Sequence, residues 1–420
     1  MGHARRSMHG ICQLLTLFNQ FTHFEPVFCK SVPKLAFNDE GTFKVLQLAD
    51  LHYGHFPELD EHTDKVIANL LEYEKPDFVA LSGDMVSGFA WDGRQGWFEE
   101  RWRQLTAPIA AARVPYGLVL GNHDDEADLM RVEIVTLDAR LRAQGSMTKV
   151  GPKEAIGLSN YYLDIAASRS SAASAARIWM LDSGGLGCSW ISAGSGCVEK
   201  PTIWWMNRTQ QHLPKVPSLA FVHVPVPEFM DLWNRGAARG SKHETVNCPM
   251  HDSRLFRAAR EMGVSAIYSG HDHDNNYEGV LDGVRLAYGH KTGYGSYGPP
   301  PGWGHGGRVV LLRRGQDAAQ AETWIRLENG ALLHQSKNPR YAAGRQTVCE
   351  PGPFFCSEYP FEPVCKPGWR HAVAELWQRR MGYCLLVLLA LACGPVVALY
   401  LYRRKRRRAL KGTIDGKGSL

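Results

Sequence analysis

FKVLQLADLH, residues 43–52, is a short apolar run that ends in Asp-Leu-His. A run of this length with Val, Leu and Phe predicts a buried strand, and the polar residues after it predict a loop that opens on chemistry. Four more stretches repeat the pattern: FVALSGD (78–84), YGLVLGNHD (116–124), LAFVHV (219–224) and SAIYSGHDH (265–273). Each carries Asp, Asn or His at or just before its end. In an open α/β sheet ligands gather beyond the carboxyl ends of the strands, so side chains far apart in sequence are expected to converge there.

Between these runs lie polar-apolar periodic segments, such as Glu58 to Tyr73 and Asp252 to Met262, which predict helices. RIWML from Arg177 is a further strand candidate. Strands alternating with helices argue for an α/β fold built on a sheet with covered faces. VRLAYG from Val284, RVVLL from Arg308 and TWIRL from Thr323 follow one another without obvious helices, so an antiparallel part is expected there. GYGSYGPPPGWGHGG, residues 293–307, reads as a loop, and its place near the strand ends suggests substrate contacts.

The chain has 420 residues, 44% hydrophobic and 21% charged, an ordinary globular composition. Its formal charge of +6 is a tail effect, because the stretch from Arg403 onward carries eight Lys or Arg against one Asp. A basic run at one end is not a basic face, so no nucleic-acid partner is expected. MGYCLLVLLALACGPVVALYLY, residues 381–402, holds no charge and is long enough to cross a ~30 Å hydrocarbon core as a helix. The basic tail, 403–420, outweighs Arg379 and Arg380, which predicts a cytosolic carboxyl terminus and a lumenal or extracellular main domain. Residues 1–25 are the candidate signal peptide, with Arg5 and Arg6 before a short apolar stretch, ICQLLTLF; a tail-anchored protein with a cytosolic catalytic domain is the alternative. The clustered cysteines Cys188 and Cys197, and Cys349, Cys356 and Cys365, read as disulfide staples, and Asn207-Arg208-Thr209 as a glycan acceptor. The main domain is expected over 40–336, followed by a Cys- and Pro-rich juxtamembrane region over 337–380.

Taken singly, an Asp after a strand is usually a helix cap and a lone His is more often a hydrogen-bonded core or surface residue than a ligand. Asp50, His52, Asp84, Asn122, His223, His271 and His273 together offer two carboxylates, an amide and four imidazoles, a set suited to Mn, Fe or Zn. Gly83, Gly121 and Gly270 allow the tight turns that bring these side chains close. The other histidines, including His55, His212, His243 and His305, read as surface or supporting residues. No convincing Ser-His-Asp set, phosphate-binding G-x-x-x-x-G-K-[ST] loop or C-x-x-C competes.

The order D-x-H, G-D, G-N-H-D, V-H and G-H-D-H resembles the calcineurin-like metallophosphoesterases from about Lys44 to Leu327. Within them the chain looks most like the purple acid phosphatase-related proteins with D-x-H in the first motif, through HVPVPEF at His223, GHDHDNNYEG at Gly270 and the Tyr- and Gly-rich loop after Leu286. The resemblance implies a two-sheet β sandwich flanked by helices and two divalent or mixed-valence metal ions. Asp50, His52 and His273 would hold one ion, Asn122, His223 and His271 the other, and Asp84 would bridge them. His123 would protonate the leaving group. The implied reaction is phosphate-ester hydrolysis by a metal-activated water, on a small-molecule or protein phosphomonoester. A phosphodiesterase acting on a nucleotide or lipid headgroup, or a non-catalytic binding module, are the rivals. True purple acid phosphatases differ at two places, with Gly where His52 stands and Tyr where Ser87 stands, so their coloured iron-tyrosinate centre is not expected here.

Overall fold

The computed structural model describes residues 34–189, 191–337 and 345–349. Thirteen strands are present among them: β1 (Thr42–Leu48), β2 (Phe78–Leu81), β3 (Tyr116–Leu118), β4 (Tyr161–Ala166), β5 (Ser174–Leu181), β6 (Leu186–Cys188), β7 (Ile191–Ser195), β8 (Ser218–Val222), β9 (Val264–Ser269), β10 (Glu278–Leu281), β11 (Val284–Tyr288), β12 (Gly306–Arg313) and β13 (Glu322–Leu327). The helices are α1 (Pro57–Glu74), α2 (Trp97–Ala112), α3 (Arg131–Arg140), α4 (Lys200–Gln211), α5 (Glu228–Asn234) and α6 (Leu255–Met262).

One sheet has the order β13-β12-β1-β2-β3, a second has β10-β11-β9-β8-β5-β4, and β6 and β7 form a separate hairpin. Alternation along the strands sorts the core into three layers. Val45, Phe78, Ala80 and Val310 of the first sheet pack with Ile178, Met180, Phe221, Ala266 and Tyr268 of the second, so these faces meet. Leu46, Leu48, Val79 and Leu81 turn the other way, against Val66, Ile67 and Leu70 of α1 and Phe98, Trp102 and Leu105 of α2. Trp179, Leu181, Val222 and Ile267 do the same against Met206 of α4, Phe229 of α5 and Phe256 of α6. Both faces of each sheet are thus buried, which is why these strands read as continuous apolar runs rather than as alternating ones. The result is a two-sheet sandwich flanked by helices.

The antiparallel expectation holds for β12, which runs antiparallel to β1 and β13. It fails for the run from Val284: β11 lies parallel to β9 and antiparallel only to β10. The reversal comes from β10, four residues after Asn-Asn-Tyr that carry too little periodicity to stand out, and it turns the chain before β11 begins. Gly306 and Gly307, expected as loop, open β12, where a Cβ at Gly306 would meet the Arg326 carbonyl oxygen at 2.3 Å. The sheet pairing is therefore close enough there to require glycine.

Cys188 is bonded to Cys197, as their spacing suggests. Cys349 is bonded to Cys248 across 101 residues rather than to a near neighbour in sequence. Cys356, Cys365, residues 1–25 and the apolar stretch 381–402 lie outside the described residues. No helix among the described residues is long and apolar enough to cross a membrane. Asn207 is exposed on α4, where its side-chain oxygen accepts a hydrogen bond from Gln211 at 3.1 Å.

Phe221 is fully buried between the sheets and stacks on Tyr268 with ring centroids 5.3 Å apart. Replacing it by Ala removes a ring from a layer that both sheets share, so Phe221→Ala should cost about 3–5 kcal/mol of unfolding free energy, read from urea denaturation of the purified protein. A loss below about 1 kcal/mol would show that this face is not tightly packed.

Candidate metal centre

The parallel strands β1, β2 and β3 end at one edge of their sheet, and β8 and β9 end at the corresponding edge of the other. Asp50 and His52 follow β1, Asp84 follows β2, Asn122 follows β3, His223 follows β8, and His271 and His273 follow β9. The structure brings all seven together. Four of them adopt left-handed backbone, with φ of 56° at Asp50, 54° at His52, 55° at Asp84 and 75° at His271. For L residues this costs on the order of 1–3 kcal/mol each and persists only where surrounding contacts enforce it.

Asp50, His52 and His273 offer ligand atoms within 4.8 Å of one another, as do Asp84, His223 and His271. Asp84 joins the two groups, with Oδ2 at 3.2 Å from His223 Nε2 and 3.7 Å from His52 Nε2. Asn122 Oδ1 is 3.0 Å from the same His223 nitrogen, and His271 Nδ1 is 3.2 Å from it. His223 Nδ1 donates to the Ser82 carbonyl at 3.0 Å, so Nε2 is the atom that faces this cluster. Three acceptors converge on it, more than one N–H can satisfy.

On the other side His52 Nε2 and His273 Nε2 face each other at 3.2 Å. His273 Nδ1 donates to the Tyr297 carbonyl at 2.8 Å, leaving Nε2 a bare lone pair. Burial, with Lys291 and neighbouring histidines adding to it, keeps His52 well below the ordinary imidazole pKa, and burial with Lys291 lowers His273 too. Burial also lowers His271, to about 3. Burial opposes a charge on His223 as well, but the Asp84 and Asp50 carboxylates outweigh it and raise its pKa to about 9. Buried carboxylates and neutral imidazoles aimed at common points are what a cation needs, and the donor chemistry fits two ions of the Mn, Fe or Zn kind.

The supporting residues are partly ones that motif reading did not assign. Asp124 accepts from the backbone N–H of Asp84 (3.1 Å), Met85 (2.8 Å), Val86 (3.1 Å) and Gly121 (2.7 Å), tying the loops after β2 and β3 to each other. A Cβ on Gly121 would lie 2.1 Å from Asp84 Oδ1, so only glycine admits the carboxylate. Lys291, fully buried, donates to the carbonyls of Asp50 (2.6 Å) and Gly295 (2.7 Å), and burial lowers its pKa to about 7. Ser195, on β7, lies 3.3 Å from His271 Nε2 and so steadies that ring from behind. Ser87 lies 2.9 Å from His52 Nδ1, which gives this hydroxyl a hydrogen-bonding task in place of metal ligation.

His123, beside Asn122, has Nδ1 2.7 Å from Glu126 Oε2, a carboxylate that keeps a proton on that nitrogen and orients the ring. Glu126 stands three residues on in the same loop, a spacing that could have signalled the pair. Of the remaining histidines, His55 accepts the Ser296 N–H on Nδ1 at 3.0 Å and His305 stacks on Tyr294 at 3.7 Å. The loop after β11 therefore does reach the centre, through Ser296 and through Tyr297, whose ring stacks on His273 at 4.1 Å.

Residues 43–275, more than half of the chain, match the calcineurin-like phosphoesterases. The chain belongs to that family. It is 29% identical over 343 residues to "Probable inactive purple acid phosphatase 29" of Arabidopsis thaliana, covering 71% of this chain and 86% of that one. It is 27% identical over 280 residues to "Phosphatase DCR2" of Saccharomyces cerevisiae, covering 58% of this chain and 46% of that one. Among solved structures it is similar to a dimetal phosphatase from Danio rerio, with TM-score 0.44 and 16% identity over 67% of this chain and 98% of the other. It is also similar to the purple acid phosphatase PPD1 of yellow lupin, with TM-score 0.42 and 15% identity over 70% of this chain and 53% of the other.

Gly121→Ala should leave the protein folded but displace Asp84. Metal affinity is expected to fall roughly 10- to 100-fold, the usual scale for losing a supporting contact. Metal content after dialysis, measured beside circular dichroism, checks this, and an unchanged content would refute the claim that Gly121 makes room for the carboxylate.

Proposed function

We propose that this chain is a dinuclear metallophosphatase that hydrolyses phosphomonoesters. The observation that carries the reading is Asp84, one buried carboxylate set between two clusters that each contain imidazole. Asp50, His52 and His273 would hold one ion and Asn122, His223 and His271 the other, with Asp84 shared. When bound, such a pair clamps a phosphoryl group and lowers the pKa of a bound water. The chain's own part is to position ester and water and to supply a proton. His123, oriented by Glu126, is the candidate donor: as the P–O bond to the alcohol breaks and water oxygen bonds to phosphorus, the departing oxygen takes a proton from His123 Nε2, and the proton shed by the attacking water replaces it, leaving alcohol and phosphate.

A non-catalytic reading has one observation in its favour, since three Arabidopsis relatives 28–29% identical carry the words "probable inactive" in their names. Against it stands the ligand set of this chain, in which none of the seven positions of the D-x-H pattern is missing. Diester hydrolysis uses the same clamp and is separated by assay against a panel of monoesters and diesters. The substrate would be a small-molecule or protein phosphate ester. We further propose that residues 381–402 anchor the chain in a membrane with the domain on the lumenal or outer face, where Asn207 would be glycosylated. The bonded pairs Cys188–Cys197 and Cys248–Cys349 support that compartment, because disulfides persist where conditions are oxidising.

Two substitutions test the reaction. Asp84→Ala should abolish turnover and lower bound metal, because the two positive charges lose the carboxylate between them; near-normal metal content and activity in the folded variant would sink the assignment. His123→Ala should slow hydrolysis of alkyl phosphates by about 10²- to 10⁴-fold. Nitrophenyl phosphate, whose leaving group is stable as an anion, should suffer much less, and equal losses on both would count against proton donation.

A further inference from the structure

Beside His123 the surroundings of the centre turn aromatic. The short turn Gly88–Ala90, after β2, sets the Phe89 ring edge-on to His123, with centroids 5.0 Å apart at 77°. The same ring lies 5.0 Å from His55 at 76° and 6.2 Å from His52. Its position is enforced from beneath. Gly88 N–H donates to the His123 carbonyl at 3.0 Å, and a Cβ on Gly88 would meet that oxygen at 2.5 Å and the Glu126 backbone nitrogen at 2.7 Å. The loops after β2 and β3 are thereby locked to each other with Phe89 at their junction. His55 is locked in turn by the Ser296 N–H on its Nδ1.

Phe89 keeps part of its surface open, and Phe56 and Trp91, close to His55 and Phe89 in sequence, are 61% and 41% exposed. Two cations of the neighbouring loops are already committed inside the protein. Lys291 donates to main-chain oxygens, and Arg131 to the Gly121 carbonyl and the carboxylates of Asp125 and Asp182. Neither is left to receive a second phosphate. An aromatic ring held against the residue that faces the departing oxygen is suited to a flat, apolar group on that oxygen, because ring pairs gain contact and quadrupole attraction that a saturated group does not.

We propose that Phe89 is a specificity-determining residue and that the favoured substrates are phosphomonoesters whose alcohol carries an aromatic ring close to the ester oxygen. This rests on the reading of the centre as a phosphomonoesterase with His123 at the leaving group. Benzyl phosphate and cyclohexylmethyl phosphate separate ring character from reactivity, since both release primary alcohols of similar size and acidity. With the full-length, metal-loaded protein, kcat/KM should favour benzyl phosphate by about three- to tenfold. Phe89→Leu should collapse that ratio toward one and Phe89→Trp should keep it. A wild-type ratio of one, or a ratio that Phe89→Leu leaves intact, would overturn the proposal. Binding of benzylphosphonate and cyclohexylmethylphosphonate, which cannot be cleaved, reads the same contact without turnover. A benzyl preference lost in Phe89→Leu would support the aromatic wall even if no ester were hydrolysed, an outcome that would sink the phosphatase reading alone.

Discussion

Asp84 is the constraint around which the molecule is arranged. Its carboxylate is buried beside His52, His223 and His271, in a place where an uncompensated charge would cost several kcal/mol. A carboxylate can be kept there only if positive charge is kept with it. Of the imidazoles around it only His223 is held toward the charged form, by the carboxylates themselves, while burial drives His52, His271 and His273 toward the neutral form. The opposing demands, carboxylates that need a cation and imidazoles mostly held neutral, would be met together by metal ions. The left-handed backbone at Asp50, His52, Asp84 and His271, the close approach at Gly121 and the four N–H groups on Asp124 are local costs and supports of that one arrangement.

The sandwich explains how ligands so far apart in sequence meet. Parallel strands in both sheets direct their carboxyl ends to one rim, and the two differently packed faces hold their register, since a one-residue shift would exchange the side chains that fill the layer between the sheets with those fitted to the helices. The two disulfides act on the segments that strand pairing does not fix. One closes the β6–β7 hairpin whose Ser195 reaches His271, and the other ties Cys349 back to Cys248, one residue from Asn247, whose N–H bonds Asp272 of the G-H-D-H loop.

Chemistry and selectivity divide between the two sides of this rim. The metal-binding side is made from histidines whose second nitrogen is already occupied, by Ser82, Ser87, Ser195 or Tyr297, so their orientation precedes the arrival of any ligand. The side around His123 is made from one short loop and one short turn, with Glu126 and Phe89 each against the imidazole. A phosphate ester would meet a preset centre at its phosphorus and a small, replaceable surface at its alcohol. Under the proposed reading, that separation would let the alcohol side set the substrate without altering the metal side.

The sequence alone pointed to the convergence of Asp50, His52, Asp84, Asn122, His223, His271 and His273, because each follows an apolar run that reads as a covered strand, and strand ends in such sheets converge. Both signals are local, readable within ten residues. What the tertiary structure decided depends on partners distant in the chain or on signals too short to read. The parallel placement of β11 waits on the four-residue β10, and the bonding of Cys349 to Cys248 waits on a fold that packs residue 349 against the layer between the second sheet and its helices. Ser195, Lys291 and Glu126 look like ordinary polar residues until the loops around them close. Their roles come from which atom lies within 3.3 Å of which, a distance that no spacing along a chain encodes and that only the packed sheets set.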